Sequence, residues 1–360
     1  MTFQERILMP VNTNTNQPSC SWQRADTDWF KSAKFGIFLH FLAETYLAQR
    51  NNQLTSDEWN SIVDSVDVDN IANQAASTGA GYCMFTIGQN SGFYCAPNPV
   101  YDEIAGTKPS KCSRRDLIAD IAAALGKKNI RLLAYTSSGA PCNDLAAVER
   151  LQWRWGFENV SNALPMNWCY THWVDEKGVP IKETRLRLAE FQKKWEAILA
   201  YWSKSWGRNV AGWWIDGCYF ADAMYRHTDE PNFRSFTAAL KAGNCDSIVA
   251  YNSGVITPVI SITEYEDYTA GEINNAFPVE STIMPISRFV DGAQYHILSF
   301  LGQTWGSTTP RFKSYFPAAF TRDITQRQGV VTWDVPIGSD SVIPGSFLAQ
   351  LTKIGKAVRH

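Results

Sequence analysis

The chain has 360 residues, 45% hydrophobic and 19% charged, with 33 basic and 35 acidic side chains for a net charge of −2. That composition suits a soluble globular protein built as one large domain over 29–360 behind an N-terminal extension over 1–28. With no Lys/Arg run and no apolar stretch of membrane-spanning length, neither nucleic acid nor a membrane is an expected partner, and oligomeric state stays open.

In chain order, residues 1–28 are polar and irregular, with the loop-like run NTNTNQPS. The first strand is expected at 34–41 (KFGIFLHF), a helix at 68–77, and a second strand at 82–88 (YCMFTIG). A helix over 116–125 precedes a third strand at 130–137 (IRLLAYTS), and the long segment 140–180 is rich in Trp. A helix over 184–206 leads into the short buried run 210–215, VAGWWI, which ends at Asp216 and Gly217. A helix over 232–242 is followed by strands expected at 247–253, 261–266 and 296–302. A helix over 312–326, a strand at 329–337 and a helix over 347–358 complete the chain. Eight strands alternating with helices predict a parallel sheet with right-handed crossovers, an α/β fold of the (β/α)8 TIM-like barrel type in a single domain. A doubly wound open sheet is the alternative, but neither a GxGxxG nor a Walker loop follows any strand.

In such a barrel the functional groups gather at the C-terminal strand ends. Those ends would carry His40, Gln89, Asn90, Tyr135, Ser137, Asp216, Asn252, Glu264, Glu266, Trp305, Trp333 and Asp334. A carboxylate closing a buried apolar strand is costly unless it opens on a solvated pocket, which makes Asp216 the leading candidate; a helix-capping Asp is the plainer reading. Carboxylates, amides and one His, set among part of a complement of 14 Trp and 14 Tyr, provide the mixed donors, acceptors and stacking planes that sugars need. Glycoside hydrolysis requires two carboxyl groups, and Asp216 has Glu264, Glu266, Glu272 or Glu280 as possible partners. Five His without HxH or HExxH spacing predict no metal, and no other cofactor is expected.

The segment DWFKSAKFGIFLHF resembles the opening of the glycoside hydrolase family 29 α-L-fucosidases. The likeness continues in order through VDVDNIANQAASTGAGYCMFT, RRDLIADIAAALGKKNIRLLAYTS, GWWIDG, DYTAGE, PVESTI, QTWGS and the closing GVVTWDVPIGSDSVIPGSFLAQLTKIGKAV. It implies a (β/α)8 catalytic barrel and a retaining hydrolase, an exo-α-L-fucosidase acting on a glycan or glycoside. It also implies Asp216 as nucleophile, His40 as a ligand of the sugar hydroxyls, Glu280 as acid/base and Glu272 as the second choice for that role. The family's C-terminal β-sandwich is not expected after the closing helix. Departures are the pair Gln89 and Asn90 where the family has two histidines, Phe41 where it has Trp, and Trp333-Asp334 where it has Leu-Asn. Gln and Asn bind hydroxyls but carry no charge, so a galactose-like sugar, an endo-acting enzyme or a lapsed glycan-binding barrel are the alternatives.

Of eight Cys, Cys83 and Cys218 read as buried thiols, while Cys95, Cys112 and Cys142 lie in loop-like sequence and could pair. A secreted or periplasmic location is expected, a cytoplasmic one staying open, since the opening MTFQERILMP lacks a signal-peptide pattern.

Overall fold

A computed structural model describes residues 23–51, 53–153, 187–219, 221–274, 283–313 and 315–359. Its centre is a curled parallel sheet. The strands in chain order are β1 (Phe35–Leu39), β2 (Tyr82–Thr86), β3 (Arg131–Ser137), β4 (Val210–Asp216) and β5 (Ile248–Tyr251). A two-strand antiparallel hairpin of β6 (Phe289–Val290) and β7 (Ala293–Gln294) follows, then β8 (His296–Phe300) and β9 (Val330–Val335). The sheet runs β5-β4-β3-β2-β1-β9-β8, so the first strand lies between the second and the last. That wrap-around order is the one a barrel requires and an open doubly wound sheet lacks.

The strands are short, apolar and rich in β-branched and aromatic residues, as befits a parallel sheet covered on both faces. Helices pack on the convex face: Trp206 of the helix Ala189–Trp206 stacks on Trp213, and Trp333 donates its indole N–H to Thr321 of the helix Tyr315–Gln326 at 2.8 Å. The concave face carries a second cluster that includes Phe38, Met84, Leu133, Trp214, Ala250 and Leu298. Successive strand residues point to opposite faces, so every second residue belongs to this inner column.

Two expectations need correction. Among the described residues the curled sheet has seven strands rather than the eight of a closed barrel, and 261–266 is not a strand. The gap between β5 and β8 is bridged instead by residues 267–273, an irregular extended segment. Asp267 N donates to Val249 O at 2.8 Å, and the Asp267 carboxylate accepts from Val249 N at 2.8 Å. On the other side Leu298 N reaches Gly271 O at 2.9 Å, and Ile273 N reaches Leu298 O at 3.0 Å. A side chain thus replaces a backbone carbonyl on the β5 side, which breaks the regular ladder. Gly271, at φ 60°, approaches β8 so closely that a Cβ would lie 1.9 Å from His296 O. Any larger residue there would push the segment off the sheet.

Helices at 43–49, 56–64, 99–105 and 145–151 add to those expected from the sequence. Cys83, Cys95, Cys112 and Cys218 are free and buried, so Cys95 and Cys112 do not pair. Most of the Trp-rich segment 140–180 lies outside the described residues; within them Trp153 is buried against Phe191.

Candidate active site

Parallel strands deliver their C-terminal ends to one side, and there the inner column opens into a cavity of about 960 Å³. His40 follows β1, Tyr135 comes from β3 and Asp216 is the last residue of β4. Gln89 and Asn90 follow β2, Glu272 comes from the 267–273 segment and Trp305 follows β8; all seven line the cavity.

Asp216 is buried, and its four hydrogen-bond partners all donate. Tyr135 Oη donates to Oδ2 at 2.6 Å. Asn252 Nδ2 at 2.9 Å, Gly217 N at 2.8 Å and Tyr219 Oη at 3.3 Å donate to Oδ1. This is the partner set that suits a carboxylate anion. Gly217 turns at φ 83°, a left-handed conformation open to glycine, and the next backbone N–H, that of Cys218, reaches Asn252 O at 2.8 Å. Gln89 Nε2 donates to Tyr135 Oη at 2.7 Å, so the amide standing where the resembling family has a histidine steadies the tyrosine that holds Asp216.

Asn252 lies fully buried beneath the cavity and uses one amide nitrogen twice, for Asp216 Oδ1 at 2.9 Å and for Glu272 Oε2 at 2.7 Å. The two carboxylate oxygens are therefore no further apart than the sum of those bonds. Burial first, and the charge of Asp216 second, push the Glu272 carboxyl up to about 7, against the hydrogen bonds of Asn252 and Asn274 and the charge of His40. His40 pairs through Nδ1 with Asp334 Oδ1. Asp334 Oδ2 accepts the Gly306 N–H at 2.8 Å, next to Trp305, whose ring stands 5.6 Å from that of His40.

Three residues expected to touch substrate are placed elsewhere. Trp333 faces the helices on the convex side, because its neighbour Asp334 takes the inward position and strand residues alternate. Asp334 is 1% exposed and lies beneath His40, with both oxygens engaged. Asn252 likewise reaches the site from below, through the carboxylates. Of the other acidic candidates, Glu264 is exposed and outside the cavity lining. Glu266 is buried among the backbone N–H groups of Tyr251 and Ile262, and burial raises its carboxyl to about 8 away from the cavity. Glu280, the first-choice acid/base, lies outside the described residues.

Sequence reasoning did not single out Tyr219 or Asn274, both of which line the cavity. The signal for Asn274 was its place two residues beyond Glu272 on the same alternation; Tyr219 sits in a turn, where no period operates. Among the described residues no group of three or more His, Cys, Asp or Glu is arranged to hold a metal ion.

No family model and no curated protein sequence matches this chain. Solved structures do. An endo-fucoidan hydrolase of glycoside hydrolase family 107, MfFcnA4, superposes with a TM-score of 0.65 at 14% identity over 91% of this chain, which spans only 53% of that enzyme. The α-L-fucosidase AlfC bound to 4-nitrophenyl α-L-fucopyranoside superposes at 0.59 with 13% identity, over 92% of this chain and 97% of that one. The same enzyme from Lactobacillus casei with its α-L-fucose product gives 0.54 at 13% identity, over 92% and 97%. The barrel-like fold is thus shared with glycoside hydrolases, and at these identities the likeness is one of fold.

Proposed function

We propose that this chain is a retaining glycoside hydrolase that releases terminal α-L-fucose from a glycan or glycoside. The observation that carries the reading is the carboxylate pair bridged by Asn252. One member, Asp216, is surrounded by donors, and the other, Glu272, has its carboxyl pushed up to about 7 by burial and by its neighbour. Two carboxyl groups in such unequal environments are what acid and nucleophile roles require. Their spacing is bounded by 2.9 and 2.7 Å bonds to one nitrogen. That falls short of the gap of about 6.5–9.5 Å that would seat an attacking water, and suits direct attack.

In the first step an Asp216 oxygen bonds to the anomeric carbon while the glycosidic C–O bond breaks. Glu272 gives its proton to the departing oxygen. In the second step Glu272, now ionised, takes a proton from water as that water displaces Asp216 from the anomeric carbon. Both products leave with the carboxyl groups restored to their starting states. His40, Asn90 and Trp305 contact the sugar, and Gln89 acts through Tyr135.

The fold shared with both a fucosidase and an endo-fucoidan hydrolase supports fucose as the sugar. A second reading, endo action on a fucose-containing chain, is favoured by the cavity volume of about 960 Å³, more than one pyranose ring fills. The deciding experiment follows aryl α-L-fucoside, α- and β-galactoside, α-L-rhamnoside and β-L-arabinoside hydrolysis by proton NMR, alongside a fucan oligosaccharide. Release of fucose with the α anomer appearing first supports the proposal. Internal cleavage of the oligosaccharide alone selects the endo reading, and a β-fucose first product overturns the double displacement. A location outside the cytoplasm belongs to the same proposal. Cys142 and Cys245 each take part in a disulfide, a state that oxidising compartments preserve. Finding these two thiols free in protein isolated from its native source would count against that location.

A further inference from the structure

We propose that Asp334 is the positioning residue for His40, fixing which hydrogen-bonding face the imidazole turns to the sugar. The proposal rests on the reading of the cavity as a sugar site. Asp334 sits on the inner face of β9, in register with Phe38 of β1, and His40 lies two residues beyond Phe38 on the same inner column. Its carboxylate is 1% exposed, so a sugar does not reach it. One oxygen takes His40 Nδ1 and the other takes the Gly306 N–H at 2.8 Å, which locks the carboxylate plane against the ring. The imidazole is further confined by the Phe38 ring, 4.0 Å from it, and by Trp305 at 5.6 Å.

A carboxylate only accepts, so the nitrogen facing it must carry a proton. Neutral His40 is therefore the Nδ1–H tautomer, and its Nε2 is a bare acceptor. Among the described residues Nε2 has no hydrogen-bond partner, while the ring lines the cavity. His40 thus accepts a hydrogen bond from a sugar hydroxyl, and that hydroxyl stays free to accept from a neighbouring donor. Were the carboxylate replaced by an amide, its single oxygen would be contested by the Gly306 N–H and the imidazole. The NH2 group would then favour an unprotonated Nδ1, and the cavity would meet an Nε2–H donor.

The test is the long-range proton–nitrogen NMR spectrum of 15N-labelled protein at a pH where the ring is neutral, with His40→Gln assigning the signal. The expected result is Nδ1–H for wild type and a shift toward Nε2–H in Asp334→Asn. Kinetics give the second reading: Asp334→Asn lowers kcat/KM about tenfold, the order seen when an outer partner that orients a ligating His is lost. The double variant His40→Gln, Asp334→Asn then falls no lower than His40→Gln alone, because both changes remove one function. Nε2–H at His40 in the wild type, or losses that multiply in the double variant, would overturn the proposal. Failure of every glycoside to turn over would sink the functional reading and leave the wild-type tautomer to decide this one. The same wild-type spectrum decides it if Asp334→Asn does not fold.

Discussion

The two ends of the inner column use similar residues to opposite ends. At the lower end, where the strands begin, His296 is fully buried. Its Nδ1 lies 2.9 Å from Thr269 O and its Nε2 2.6 Å from Thr332 Oγ1. Burial pushes its pKa down to about 4. Tyr82 Oη shares the same Thr332 hydroxyl at 2.6 Å. Phe30, from the helix Asp28–Ala33, closes this end against Tyr82 and Tyr268, with ring centroids 4.8 Å from each. Every polar group there is answered by another, which is how a polar group is buried without loss. At the upper end His40 has one nitrogen committed and one facing a cavity, and two carboxyl groups share a single amide. Hydrogen-bonding capacity left open, together with two carboxyl groups kept close, separates a site from a core.

That contrast predicts where damage shows. The largest effect belongs to Asp216→Asn, which should lower kcat/KM by at least about 10³-fold without lowering Tm. A variant keeping more than about a tenth of the activity would break the comparison. Glu272→Gln comes next, losing about 10²–10⁴-fold on glycosides whose leaving group needs a proton. It should lose far less on an activated dinitrophenyl glycoside, and equal losses on both would remove the acid role. At the lower end Phe30→Ala should cost about 3–5 kcal/mol in denaturant unfolding. Activity per folded molecule should stay near wild type; a large change would mean that the two ends are not separable. The smallest effect sharpens the picture through pH. Glu272 is raised from the ordinary 4.5 to about 7 in the folded protein, so the folded state holds a proton that the unfolded chain has released in that window. Its contribution to stability is present below about 4.5 and is lost as pH rises through about 7. Glu272→Gln should therefore gain on wild type by about 1 kcal/mol or more between pH 5 and pH 8. Wild-type activity should fall on the alkaline side of about 7, and a stability difference flat with pH would contradict this.

Much of this was legible in the chain. The runs KFGIFLHF, YCMFTIG, IRLLAYTS and VAGWWID announce buried strands, and the structure places strands in all four. His40, Gln89, Asn90, Tyr135 and Asp216 were read from strand ends and loops just beyond them, and they share one cavity. The sixth position was misplaced because 261–266 looks more strand-like than 267–273. The true bridge is stabilised by the Asp267 side chain and by the close approach at Gly271, neither of which leaves a periodic signal. Trp333 and Asp334 were both assigned to the pocket, although adjacent strand residues face opposite sides and only one could enter it. Glu272 was named as second choice from the family resemblance; alternation along 268, 270 and 272 points to it independently once the bridge is in the right place.

The irregular bridge has an evolutionary consequence. Asp216 is held on a strand paired on both sides, by β3 and by β5, so its position is set by sheet register and tolerates no insertion or deletion. Glu272 is carried by a segment outside that register, tied down by a few local bonds. Lineages can lengthen, shorten or re-anchor that segment while the sheet stays intact. Under the proposed roles, the place of the acid/base could be reset without disturbing the sheet, and that of the nucleophile could not.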